Sequence, residues 1–197
     1  MSPQSGMSAQ LSEERGDGDT LAVPFARPRV RPEKALRYEL NVVAADVAEA
    51  VSGIGGWLFD RAMAGWRVSV AAGEAGNERA LRILGLKAVD LNGLWRSAAA
   101  DSVAMTAIGT SRLESGDRGL ASRSPVGDVV YFGPHAPVGL GAQVQRIQYR
   151  PSAAALAFKA HALALAGGDP GSVGSGETLF RCGRSAGLLE ADLVPVC

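Results

Sequence analysis

The sequence contains few of the residues that build metal centres and nucleophilic sites. Of its 197 residues, two are histidine and two are cysteine, namely Cys182 and Cys197. Their spacing fits no metal-ligand pattern, because a structural zinc site needs close pairs of such residues. Neither a Walker-type Gly-Lys-Ser nor a His-Glu-x-x-His motif is present. The sequence therefore predicts no catalytic residue and no metal ligand, and it leaves any cofactor unknown.

Net charge and long apolar segments are lacking as well. Twenty basic and twenty acidic residues balance, so no overall field attracts nucleic acid or an anionic membrane. The apolar run 153–158 ends at Lys159 and is too short to span a bilayer. The N-terminus has no apolar signal segment. These features predict a cytoplasmic protein without membrane association, in which both cysteines stay reduced.

Residues 1–35 show no apolar periodicity and are predicted to form a disordered N-terminal arm. The end of this arm is basic and rich in proline, and its cations are Arg27, Arg29, Arg31, Lys34 and, just beyond it, Arg37. These side chains favour either a tail that contacts phosphates, as in nucleic-acid binding, or a solvated linker. The neutral charge of the whole chain favours the linker.

The clearest pattern of secondary structure lies between residues 46 and 91. Apolar residues recur at spacings of three and four along one predicted helix, at Val47, Val51, Ile54 and Leu58. Asp46 can cap the first turn of this helix and Gly65 can end it. A strand at 68–72, a short helix at 77–84 and a strand at 86–91 follow. Strand, helix and strand in this order predict a right-handed parallel crossover.

The remaining segments extend this α/β pattern. Strands are predicted at 36–43 and 128–132, and the stretch 98–108 fits a helix better than a strand. The segment 153–166 is predicted as a helix capped by Ser152. Nearly every position of that helix is apolar, which favours burial against the sheet or in a homodimer interface.

The predicted fold is a single, three-layer-like α/β domain over residues 36–168. Its sheet is predicted to be mostly parallel with four to five strands, covered by helices. Residues 169–197 are predicted to form a loose, irregular, Gly-rich tail that contains one edge strand, Glu177–Cys182.

Ligands of open α/β sheets bind beyond the carboxyl ends of the strands. This rule predicts a pocket lined by Gly73, Glu74, Asp90 and Asn92. Asp90 then has two interpretations, as a ligand-binding acid or as the cap of a turn. The stretch Gly53-Ile54-Gly55-Gly56 interrupts a helix instead of following a strand, so it favours close packing over phosphate binding.

Three functions are consistent with these observations. The absence of a catalytic constellation favours a non-catalytic regulatory or protein-interaction protein that associates with itself or with a protein partner. The alternative is a small-molecule or nucleotide-binding protein, enzymatic or not, with its pocket at the carboxyl ends of the strands. The second alternative is a nucleic-acid-associated protein that uses the basic arm.

Overall fold

The computed structural model describes residues 38–73, 78–97, 103–114, 128–138, 144–182 and 194–195. All of them belong to the unit formed by residues 36–197. The five cations of the N-terminal arm and Glu74 lie outside the described residues, so what was predicted for them stays a prediction. In the part of the chain that is described, no helix is long and apolar enough to cross a membrane.

The sheet is built around β1 (Glu39–Ala44), all six residues of which are buried. β1 runs parallel to β2 (Arg67–Ala72) on one side and to β4 (Val103–Gly109) on the other. β3 (Lys87–Ala88) extends the sheet parallel beyond β2, and β5 (Asp128–Phe132) extends it parallel beyond β4. These five strands form the parallel half of the sheet, in the order β3-β2-β1-β4-β5.

Three antiparallel strands complete the sheet next to β5. They follow in the order β7-β6-β8, with bounds Glu177–Cys182 for β7, Val144–Tyr149 for β6 and Val194–Pro195 for β8. β7 pairs with β5 on one side and with β6 on the other, and β8, two residues long, pairs with β6. Within the described residues the sheet thus has eight strands, counting β8.

Helices pack on both faces of the sheet. Their bounds are Val47–Met63 (α1), Glu78–Ile83 (α2), Leu91–Ser97 (α3), Thr110–Glu114 (α4) and Ala153–Leu165 (α5), followed by a 3-10 turn at Pro170–Ser172. α1, α2 and α5 contact one another on one face. On β1, Val42 belongs to the large core beneath these helices, whereas Val43 packs with Leu94 of α3 in a second cluster. The alternation of a strand thereby supplies both layers.

The local signals for the two long helices are confirmed. The side chain of Asp46 accepts a hydrogen bond from the backbone N–H of Glu49 (2.7 Å), which caps α1. Ser152 caps α5 by accepting from the N–H of Ala155 (3.1 Å). Gly65, which follows α1, has φ +88°, a conformation that glycine adopts without strain. The crossover from β2 through α2 to β3 is parallel, as predicted.

Three predictions about the sheet are wrong in detail. Its predicted size of four to five strands matches only the parallel half. The stretch 98–108, predicted as a helix, contains β4, because a strand buried in the middle of a parallel sheet carries an apolar run without a period of two. Glu177–Cys182, predicted as an edge strand of a loose tail, is an inner strand, so the sheet extends past residue 168.

α1 is bent at Ile54, whose backbone angles (φ −139°, ψ 16°) are not helical. Beyond the bend, the backbone N–H groups of Gly56 and Trp57 donate to the two carboxylate oxygens of Glu177 at 2.8 and 2.7 Å. Lys159 of α5 also donates to this carboxylate, at 2.5 Å. A buried ion pair therefore joins α1, α5 and β7.

The glycines of α1 are explained by close packing. A Cβ atom at Gly56 would lie 2.8 Å from both Cβ and Cγ of Pro151, and one at Gly53 would lie 3.0 Å from the ring of Phe132. No real Cβ atom approaches a proline ring that closely, so Gly56 permits the contact between α1 and the start of α5.

Candidate functional site

The site is located by the point at which the strand order reverses. After β1 the chain moves through β2 to β3 on one side, and it then returns to the other side of β1 for β4 and β5. Loops that leave β1 and β4 therefore part in opposite directions and open a crevice at their carboxyl ends. Ligands of open α/β sheets bind in such a crevice.

Glu49 in the first turn of α1 lies in this crevice. Its Oε2 accepts a hydrogen bond from the N–H of Ala45 at 2.6 Å, and its Oε1 accepts from the N–H of Ser111 at 3.3 Å. Ala45 follows β1 and Ser111 follows β4, so one carboxylate spans both strand ends. A Cβ atom at Gly109 would lie 2.6 Å from Oε2 of Glu49, so a side chain at the last residue of β4 would displace this carboxylate.

The neighbouring strands contribute to the same crevice. Gly73 follows β2, and its N–H donates to the carbonyl of Ala45 at 2.9 Å. A Cβ atom at Gly73 would lie 2.8 Å from Nη1 of Arg112, which places the guanidinium of α4 at the end of β2. The carboxylate of Glu49, backbone amides and the guanidinium of Arg112 thus meet over the ends of β1, β2 and β4.

A cavity of about 390 Å³ adjoins this crevice at the end of β5. Gly133, the first residue after β5, is the point of contact, since a Cβ atom there would overlap the hydroxyl of Thr110. The cavity is lined by Gly133, Pro134, His135, Ala136, Arg146, Thr178 and Phe180. Its volume is within the range of small-molecule sites.

The structure separates the site residues that were predicted from the sequence. Gly73 lies in the crevice, as just described. Asp90 follows the edge strand β3 and begins α3, where its carbonyl accepts from the N–H of Leu94 at 2.9 Å, and Asn92 lies in that helix. Asp90 is thus two strands away from the reversal between β1 and β4, and its position fits the turn-cap interpretation. The ligand-binding roles of Gly73, Asp90 and Asn92 stay predictions, as does that of Glu74.

Asp46, Glu49, Thr110 and Arg112 were not predicted as site residues. The predicted pocket included only residues that follow the strands after α1. Because β4 was predicted as a helix, the end of β4 was not part of that pocket. Applying the rule to β1 would have pointed to Asp46 and Glu49, the first acids after it.

One motif in the C-terminal segment was overlooked when no catalytic residue was predicted. Residues 183–187 read Gly-Arg-Ser-Ala-Gly, the Gly-x-Ser-x-Gly spacing of a serine nucleophile on a strand-to-helix turn. The motif follows β7 directly, but its residues lie outside the described part of the chain. Ser185 therefore remains a candidate from its sequence alone.

The described residues offer no group of three or more His, Cys, Asp or Glu side chains that could hold a metal ion. Asp46, which caps α1, and Glu49 in its first turn are the acids that follow β1, and both carboxylates accept backbone hydrogen bonds. Two such oxygen donors fall short of the three protein ligands of a typical catalytic zinc site.

Solved structures of deacetylases share the fold of this chain. The A40926 pseudoaglycone deacetylase Dbv21 superimposes with a TM-score of 0.55. A deacetylase–teicoplanin complex and the zinc-inhibited form of the teicoplanin deacetylase Orf2 superimpose with TM-scores of 0.53 and 0.52. Each is 13% identical, and each comparison covers 75% of this chain and 98% of the other. No protein-family model and no curated protein matches the sequence.

The comparison overturns the prediction of a non-catalytic regulatory or protein-interaction protein. The chains that share this fold over nearly their whole length are enzymes. At 13% identity the likeness shows the fold and assigns no residue of this chain a role. It favours the alternative, a small-molecule-binding protein with a pocket at the carboxyl ends of the strands.

Proposed function

We propose that this chain binds a small molecule at the carboxyl ends of β1, β4 and β5 and hydrolyses an N-acyl group on it. The observation that carries the proposal is the carboxylate of Glu49 bonded to both strand ends, with Asp46 and Arg112 beside the same backbone segments. The fold shared with deacetylases supports the reaction class. In this reaction water adds to the acyl carbon, the C–N bond breaks, and the amine leaves with a proton.

The roles follow from the exposure of each side chain. Asp46 is exposed and uses one oxygen, Oδ1, to cap α1, so its carboxylate can accept a proton from the attacking water. Glu49 uses both oxygens on backbone N–H groups and is a positioning residue that joins β1 to β4. Arg112 is the cation at the crevice that can stabilise the developing oxyanion.

The test compares Asp46→Asn with Asp169→Asn, which caps the 3-10 turn at Pro170–Ser172. Asparagine caps helices as well as aspartate does, so both variants should keep the unfolding temperature of the parent. Acetate release from a panel of N-acetylated amino sugars and amino acids is measured. Asp46→Asn should lower the rate by about 10²- to 10⁴-fold, the range of one general base, and Asp169→Asn should not.

Two results would contradict the proposal. Acetate release that is equal in both variants would remove Asp46 from the reaction. No release from any member of the panel, together with ligand-induced stabilisation that Arg112→Gln abolishes, would leave binding at the strand ends and discard the hydrolysis.

A further inference from the structure

We infer that the cavity at the end of β5 is a subsite for an anionic group, a carboxylate or a phosphate, carried by an apolar or aromatic small molecule. The inference rests on the proposed function only in placing the rest of that molecule in the crevice next to it. The cavity itself is defined by its own side chains, and its anion preference is tested separately.

The charge of the residues that line the cavity favours an anionic ligand. Arg146 and His135 are among the residues that line the cavity, and no acidic residue lines it among those described. Nη2 of Arg146 donates to the hydroxyl of Thr178 at 3.4 Å, and Thr178 donates to Oε1 of Gln148 at 3.3 Å. No described carboxylate forms an ion pair with Arg146. Within the described residues, this guanidinium therefore has a neutral hydroxyl as its partner and no carboxylate that compensates its charge.

The apolar part of the lining favours a ring attached to the anionic group. Phe180 is buried, with 6% of its surface exposed, and forms an apolar wall together with Pro134 and Ala136. A guanidinium beside such a wall suits a carboxylate or phosphate attached to a ring, because Arg binds planar oxyanions through two parallel hydrogen bonds. Both oxyanions present this chemistry, so the experiment has to separate them.

The cavity is connected to the crevice through Gly133 and Thr110. Gly133 contacts Thr110, and Thr110 lies between Gly109, which packs under Glu49, and Ser111, which bonds to it. A molecule whose anionic group lies at Arg146 can therefore extend past Gly133 towards the end of β4. This arrangement makes the cavity a specificity subsite for an acylated substrate that carries a negative charge.

Benzoate, phenyl phosphate and benzyl alcohol form a matched set of probes, because they share the ring and differ in the charged group. Their dissociation constants are measured by calorimetry on the full chain and on Arg146→Gln and Arg82→Gln. Arg82 is an exposed cation of α2, away from the cavity lining. At least one anion should bind the parent, and Arg146→Gln should weaken it about tenfold to a hundredfold, the value of one charged hydrogen bond.

Binding of only one anion identifies that oxyanion as the group recognised. The inference is overturned if benzyl alcohol binds as tightly as the anions, if neither anion binds at millimolar concentration, or if Arg82→Gln weakens binding as much as Arg146→Gln. Anion binding that depends on Arg146 without any acetate release would keep the subsite and reject the proposed reaction. Acetate release that is insensitive to Arg146→Gln, with no anion binding, would keep the proposed reaction and reject the subsite.

Discussion

At the scale of single residues, the ion pair of Lys159 and Glu177 is the most consequential contact in the core. The side chains of both residues are almost fully buried, with 4% and 1% of their surfaces exposed. Burial raises the pKa of Glu177 above its ordinary value of 4.5, while Lys159 and the N–H groups of Trp57 and Gly56 act in the opposite direction. Replacing Lys159 removes its opposing effect and leaves the carboxylate without a buried cation.

We therefore expect Lys159→Met to raise the pKa of Glu177 further. Stability that depends on a raised pKa is fully present below pH 4.5 and is lost as the pH rises through the folded-state pKa. The variant should lose about 3 to 5 kcal/mol at pH 7 and clearly less at pH 5. Urea unfolding at the two pH values measures the difference. Adding Glu177→Gln should flatten it, and an equal loss at both pH values would contradict the assignment.

The residue scale also shows where sequence patterns reach their limit. The caps Asp46 and Ser152 and the glycine after α1 were predictable, because each acts on neighbours three or four residues away. The contacts of Glu177 were not predictable, because Glu177 lies 18 positions from Lys159 and 121 positions from Gly56, and no local pattern marks these contacts. Glu49 falls between these cases, since one of its bonds is local and the other crosses to β4.

At the scale of elements, substitutions in α1 can show whether its glycines provide flexibility or close packing. A Cβ atom at Gly56 would lie 2.8 Å from Pro151, whereas one at Gly55 would lie no closer than 3.5 Å to any side chain. We expect Gly56→Ala to cost about 1 to 3 kcal/mol through overpacking. Gly55→Ala should be neutral or should stabilise by up to about 1 kcal/mol, the gain in helix propensity. Urea midpoints compare them, and equal losses would refute close packing at Gly56.

The elements from β1 to β3 were predictable because helix and strand alternate there with short loops between them. β4 was not, since its buried apolar run has no period that separates strand from helix. The position of β7 was unpredictable for another reason. The antiparallel position of β7 between β5 and β6 depends on the whole sheet. The residue pattern of a strand does not show whether the strand lies at the edge of a sheet or inside it.

At the scale of the whole molecule, self-association through α5 stays a prediction. The helix buries one face, with Ala155, Lys159, Ala162 and Leu163, instead of most of its surface. It exposes 45% of Phe158 and 41% of Leu165 on its other sides. If a homodimer forms through α5, Leu165→Lys should shift the mass measured by light scattering from dimer to monomer. Met63→Lys on α1, where 63% of the side chain is exposed, is the control. A monomeric parent would reject the dimer.

The position of β7 has a consequence for how the chain acquires its structure during synthesis. β5, β6 and Lys159 all precede β7 in the chain. One edge of β5, one edge of β6 and the ammonium of Lys159 meet their partner only when residues 177–182 emerge. Until then, the two strands leave backbone groups unpaired towards each other, and the ammonium of Lys159 lacks its anion. The parallel half can pair as it is made, whereas the core is completed only when β7 joins β5 and β6.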